Sequence, residues 1–206
     1  MLTTVRRKAH RLRQHSRRRC ATAKAPAKDE AKGSRYGEGP LFRLPIVAAS
    51  SHPLAPAALG AAEGAYELFL ESMAKRAGTY TGARVANFQA VQIKVGRARS
   101  LIDSARYLLR QSAVAFQAIA ERNEIPDVET KLRFRAHAAF AVNQAREAIE
   151  VLWSCYGAQG LYTRDPLQRH LRDVLAISQH FSFNFDIAGS AYGLLALGGT
   201  SASPTM

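Results

Sequence analysis

Four stretches of this 206-residue chain space their apolar residues three and four positions apart in alternation. That interval stacks side chains along one face of an α-helix. In the first stretch the series is Leu59, Ala62, Tyr66, Phe69 and Met73, and in the second Phe88, Val91, Val95, Ala98, Ile102, Ala105 and Leu109. The third runs through Ala138, Ala141, Ala145, Ala148 and Leu152. The fourth takes in Leu167, Leu171, Val174, Phe181, Phe185, Ala188, Tyr192 and Leu195, with Ser178 in its one polar slot. No stretch alternates with the period of a strand, and no internal repeat is present. A 3/4 alternation favours shallow crossing angles, so the spacing predicts an all-α, antiparallel four-helix bundle over residues 41–200.

The breaks between stretches agree. Pro126-Asp127 interrupts the chain between the second and third, Gly157 and Gly160 interrupt it between the third and fourth, and Asp165-Pro166 is a helix start. The alanine-rich third stretch implies close approach of its neighbours. Hydrophobic residues make up 47% of the chain, enough for a core, and no apolar run approaches the roughly 18 residues of a membrane span. The apolar stripes read as packing residues, not as a cofactor box.

The net charge of +13 divides unevenly: residues 1–40 hold twelve of the 29 Lys and Arg but three of the 16 Asp and Glu, giving +9 there and +4 over the rest. Between Arg6 and Arg19, eight of fourteen residues are cationic. Such a run repels itself, so residues 1–40 read as a disordered basic tail and linker, and 201–206 as a flexible C-terminus. A nucleic-acid arm would gain affinity by releasing counterions, but no aromatic residue stands among the arginines to stack on bases. A secretory signal is excluded because no apolar run follows the charges, and an organellar transit peptide would need an amphipathic face that is only weakly present. A solvated extension fits the composition best; nucleic acid and membrane are not expected partners. Cys20 and Cys155 lie far apart, which argues for a reducing compartment, with cytoplasm the default.

Metal chemistry finds no ligand spacing, since neither cysteine has a cysteine or histidine nearby except His15 in the tail. No nucleophile elbow, P-loop or dinucleotide glycine fingerprint appears. His10, His15 and His52 fall in tail or linker sequence, and His137, among alanines and arginines, reads as a surface or groove residue. The informative stretch runs from Ser154 through Gly157-Ala158-Gln159-Gly160-Leu161 and Pro166 to Arg172-Asp173. Beyond it Asp173, His180 and Asn184 stand at i, i+7 and i+11, one face of a continuous helix. A polar strip beside an apolar seam is either satisfied structurally or lines a cavity.

These residues resemble the C-terminal helical domain of the acyl-CoA dehydrogenase superfamily, which carries a Gly-Gly-Xaa-Gly-Tyr turn and then a proline-started helix with an Arg-Asp pair. Gly157 to Leu161, Pro166 and Arg172-Asp173 match it in order and spacing, and Lys75-Arg76 with Gln89-Ala90-Val91-Gln92-Ile93-Lys94-Val95-Gly96 is similar to an upstream segment of that family. The likeness runs from about Gly39 to Gly199.

Two departures select a branch. Many of the dehydrogenases place a glutamate base about eight residues after the Arg-Asp pair; here that position is Phe181, and no acid lies between Asp173 and Asp186. Proton abstraction from an acyl-CoA then lacks its base. His180 stands next to the position instead, which resembles the oxygenase components of two-component flavin monooxygenases, similar to 4-hydroxyphenylacetate hydroxylases. The resemblance implies a reduced flavin, FMN or FAD, supplied by a separate flavin reductase and forming a C4a-hydroperoxide that hydroxylates a small aromatic or polycyclic substrate. His180 would be the catalytic residue, facing the flavin and assisting hydroxyl transfer or deprotonating the phenol, a task that suits an imidazole. Asp173 and Asn184 would line the substrate pocket.

The second departure is Ser154, where dehydrogenases often carry a glutamine that touches the flavin's nucleotide portion from a neighbouring subunit. Its loss implies looser, exchangeable flavin binding. By the same resemblance Arg76 or Arg84 would reach a flavin phosphate across a subunit contact, with Ser154 and Gly157 beside it. Family members are about twice as long and assemble as tetramers, so the likeness implies a homo-oligomer and a half-site whose N-terminal helical and middle β-domains have no counterpart in residues 1–40. Two alternatives stay open: an acyl-CoA dehydrogenase-like oxidoreductase acting on CH–CH groups, and a non-catalytic helical module with a nucleic-acid-binding tail.

Overall fold

The computed structural model describes residues 37–44, 51–79 and 82–200; the basic tail over 1–36, with Cys20, His10 and His15, and the C-terminal 201–206 lie outside the described residues. Among the described residues five α-helices follow one another: α1 (Ala55–Lys75), α2 (Gln89–Glu121), α3 (Val128–Tyr156), α4 (Pro166–Ser178) and α5 (Phe185–Ala196). Short 3₁₀ turns occupy Pro40–Arg43, Val85–Asn87, Ala158–Leu161 and Phe181–Phe183. Among the described residues there is no strand, only an isolated antiparallel bridge between Ala77 and Arg84 in the α1–α2 connection.

Helix starts follow local chemistry. The Asp127 carboxylate accepts from the Thr130 N–H at 2.8 Å and opens α3, and Asp165 accepts from the Leu167 N–H at 2.9 Å with Pro166 in the first turn of α4. Each satisfies a backbone donor that a helix N-terminus leaves without a partner. Gly157 closes α3 with φ +85°, a left-handed conformation that costs glycine little.

α3 is the central element, packing against α1, α2, α4 and α5. Its Ala138, Ala141, Ala145 and Ala148 are at most 1% exposed, so their lack of side-chain bulk is what lets four helices close around one. Ile149 and Leu152, fully buried on α3, each contribute about 2 kcal/mol of apolar burial. Cross-links fix α2 and α3 as antiparallel: Lys94 meets Ser154, Arg97 meets Glu147, Ser104 meets Gln144 and Ser112 meets His137, the α3 number falling as the α2 number rises. A smaller satellite core gathers Leu44, Phe116, Ala120 and Phe134.

The fourth apolar stretch is not one helix. The chain leaves α4 after Ser178 and re-enters helix at Phe185. His180 and Asn184 both take extended backbone (ψ 136° and 106°), and their side chains accept the N–H groups of Ser182 and Ile187. Side chains that satisfy backbone donors outside a helix compete with the helical ladder. Asn143 of α3 adds a bond to the Phe183 carbonyl at 3.1 Å. Phe183, off the repeat, is 1% exposed, while Phe181, on it, is 61% exposed. The expectation that Asp173, His180 and Asn184 share one helix face is therefore not met.

Candidate functional site

Arg76, Ser154 and Gly157 come together at the C-terminal end of α3. Arg76 is the residue after α1; its Nη1 donates to the Tyr156 carbonyl, one of the acceptors a helix end leaves open. Its other nitrogen lies over Gly157, where a Cβ would sit 3.2 Å from Nη2. The missing side chain thus leaves a face of the guanidinium open. Ser154 donates to the Val151 carbonyl at 2.6 Å and accepts from Lys94 Nζ at 2.7 Å. Arg84 is exposed, held in the α1–α2 connection by its bridge to Ala77 and by the Val85 N–H bond to the Arg76 carbonyl at 3.0 Å. The Tyr156 hydroxyl donates to Asp165 at 3.0 Å, and burial pushes this phenol above its ordinary range, which keeps it a donor. The result is a patch of two cations, Arg76 and Lys94, around a glycine and a hydroxyl, with the backbone of Arg84 pairing beside Arg76. Cys155 lies within it, its thiol raised by burial against the opposing pull of Lys94.

His180, Asn184 and Asp173 lie elsewhere. His180 sits at the α4–α5 corner with Nδ1 accepting from the Ser182 N–H at 3.3 Å, its ring 4.7 Å from that of Phe181 and 5.8 Å from that of Phe183. In a neutral ring this bond leaves the proton on Nε2. The side chain is exposed, so the described residues provide a wall at His180 and no enclosed cleft. Asn184 caps α5 and is exposed. Asp173 lies on α4, 3.7 Å from Arg169, and lines a shallow groove with Gly60, Ala61, His170 and Ile177.

The α3 helix measures the gap between the two groups. Asn143 holds the His180 corner and Tyr156 holds Arg76, and thirteen residues of helix between them span roughly 20 Å. The structure brings the cofactor candidates together and keeps them away from the catalytic candidate.

Sequence reasoning gave Lys94 no place in the site; its contact with Ser154 shows only once α2 and α3 are paired, since the two stand 60 residues apart. It also read His52 as linker and His137 as surface or groove. Both are half-buried. His52 packs edge-on to Phe116 at 5.0 Å and near Phe134 at 6.1 Å, and His137 Nδ1 lies 3.1 Å from the Ser112 hydroxyl. Burial, then the neighbouring His137, lowers His52 to about 4; burial, then Arg133, lowers His137. Among the described residues no three His, Cys, Asp or Glu side chains are grouped to hold a metal ion.

Residues 53–185 match the family described as acyl-CoA dehydrogenase, C-terminal domain. The chain is 30% identical over 175 residues to the oxygenase component of the FADH(2)-dependent resorcinol hydroxylase of a Rhizobium species, covering 81% of this chain and 42% of that protein. It is 28% identical over 167 residues to a pigment production hydroxylase of a Rhodococcus species, covering 81% of this chain and 43% of that protein. Among solved structures it resembles XiaF from a Streptomyces species, in complex with FADH2 and glycerol, with TM-score 0.79 and 25% identity over 87% of this chain and 46% of that one. The chain spans less than half the length of these relatives. With a family match over more than half of its residues, and with five helices in the order described above, the chain belongs to the acyl-CoA dehydrogenase C-terminal domain family.

Proposed function

We propose that the chain supplies the C-terminal wall of a flavin-dependent monooxygenase of the two-component type, acting on a phenolic or polycyclic aromatic substrate with reduced flavin delivered by a separate reductase. The single observation that carries this reading is His180 at the α4–α5 corner, with Nδ1 engaged by the backbone and no acid between Asp173 and Asp186 to serve as an acyl-CoA base. Two relatives are described with FADH2, which favours that flavin over FMN.

The residues present fit such a group. A flavin's phosphates are anionic, and the Gly157 gap under the Arg76 guanidinium, with the Lys94–Ser154 pair on the same end of α3, offers cations and a cradle that a Cβ would fill; the exposed Arg84 would reach in from the α1–α2 connection. Bound reduced flavin supplies the electrons and the activation of oxygen. The chain's own contribution at the reacting end is the proton on Nε2 of His180. Because Nδ1 already accepts a hydrogen bond, the ring offers a donor, and of the two tasks open to it hydroxyl transfer fits better than deprotonation of the phenol.

The placing of phosphate patch and imidazole at two ends of a stretch of α3 that spans roughly 20 Å suits a flavin phosphate taken from a second copy of the chain, while each copy's His180 serves its own active site. Exposed Ile93, Tyr107, Val114, Ile187 and Leu194, each between 48% and 67% exposed, offer apolar surface for a homo-oligomer, a tetramer in this reading. Among the described residues no helix is long and apolar enough to cross a membrane, and a cytoplasmic enzyme is consistent with that.

The test is a paired assay, phenol plus flavin reductase against acyl-CoA plus an electron acceptor. Hydroxylated phenol without acyl-CoA oxidation supports the reading; acyl-CoA oxidation without hydroxylation assigns the chain to CH–CH oxidation instead.

A further inference from the structure

A second feature lies on the side of α1 away from Asp173. Between the first turns of α1 and the C-terminal half of α2 is a cavity of about 560 Å³, within the range of roughly 300–1,000 Å³ that small-molecule sites occupy. Its walls are apolar: Leu44, Leu59, Leu109 and Phe116. His52 adds an aromatic wall, edge-on to Phe116, and burial keeps that ring uncharged at neutral pH.

Charge enters from one side. Arg106 and Arg110 stand one turn apart on α2 and both line the cavity. The Arg106 guanidinium is spent on Glu63 of α1. Arg110 is exposed and makes no ion pair or hydrogen bond among the described residues. The open cavity therefore joins an apolar, ring-sized lining to one cation that holds no protein partner among the described residues. An apolar ligand alone would leave Arg110 unanswered, and an inorganic anion alone would leave the interior unfilled. A molecule with both features answers both.

We infer that this cavity binds a small amphipathic anion, a flat apolar body of one or two rings bearing one carboxylate, with the rings against Leu59, Leu109 and Phe116 and the carboxylate on Arg110. The inference does not rest on the flavin reading, and its test contains no flavin, so either can fail alone.

The experiment titrates the ¹⁵N-labelled full chain with sodium 2-naphthoate and, separately, with 2-naphthylmethanol as its uncharged counterpart, following amide shifts. Saturable shifts centred on Leu59, Leu109, Ala113 and Phe116 are expected, with naphthoate binding about tenfold tighter than the alcohol, as one charge-assisted bond allows. Arg110→Gln removes that preference and leaves the alcohol's affinity as in the unaltered chain. Because Arg110 holds no protein group, the variant keeps its fold, which its own spectrum reports. Shifts absent from those four residues, equal affinities for the two compounds, or a naphthoate preference that survives Arg110→Gln would each overturn the assignment.

Discussion

Asn143, midway along α3, donates its Nδ2 to the Phe183 carbonyl at 3.1 Å, and the same nitrogen lies 2.8 Å from the Ala139 carbonyl. One side chain thus ties the central helix to the turn that carries His180. Asn143→Ala leaves the Phe183 carbonyl without this partner and costs about 1 kcal/mol, a fall of roughly 2–4 °C in melting midpoint for a chain of this size. The same substitution loosens the His180 corner, so hydroxylation falls by more than the stability change accounts for. Calorimetry together with product formation at a temperature where the variant is fully folded checks both.

Acid sensitivity follows from His52. Its pKa is about 4 in the folded chain against 6.5 for an unperturbed histidine, so the unfolded chain takes up the proton first as the pH falls. The stability this represents is fully present above pH 6.5 and is lost as the pH drops towards 4, up to about 3 kcal/mol. His137, lowered in the same direction, adds to the effect. Urea unfolding between pH 4 and 7 tests the point: His52→Phe is expected to flatten the slope across that window relative to the unaltered chain, and parallel slopes would contradict it.

The small residues of α3 set how closely the helices approach. Ala145 is fully buried, and Ala145→Leu forces extra methylene groups into a closed interface at a cost of about 1–3 kcal/mol. Leucine has high intrinsic helix propensity, so a stability loss in urea unfolding isolates packing from propensity.

Glu63 of α1 accepts from two arginines of α2: Arg99, at 3.1 and 3.2 Å, and Arg106. The Arg99 guanidinium also lies 5.3 Å from the Tyr66 ring. Glu63→Gln is expected to lower stability by about 1 kcal/mol at low salt and by less in 1 M salt, because the two guanidinium groups are partly exposed and screened. Denaturant midpoints at the two ionic strengths measure it.

The first three helices were legible because each buries a single stripe and the spacing of that stripe is written locally. Asp127 and Asp165-Pro166 were legible for a related reason, since a cap is a contact between residues two or three positions apart. The break before α5 was hidden because the apolar repeat passes through it unaltered; only the cap bonds of His180 and Asn184 and the exchange of Phe181 for Phe183 in the core disclose it. The surroundings of Lys94 and His52 were not legible because they depend on chain segments far away in sequence. Arg76, Ser154 and Gly157 came from motif order, and the fold does gather them. His180 came from the same order, but its exposure and its distance from the Arg76 patch follow from tertiary packing alone.

The most direct measurement is hydroxylation of a phenol with reduced flavin regenerated by a flavin reductase, by this chain joined to the N-terminal and middle domains of a resorcinol hydroxylase oxygenase component, His180→Ala beside the unaltered fusion. An acid–base or proton-donor role is expected to appear as a loss of about 100-fold in product formation, with reduced-flavin affinity unchanged because the phosphate patch lies at the other end of α3. Equal rates from the two fusions, or no hydroxylated product from the unaltered fusion, would contradict the account.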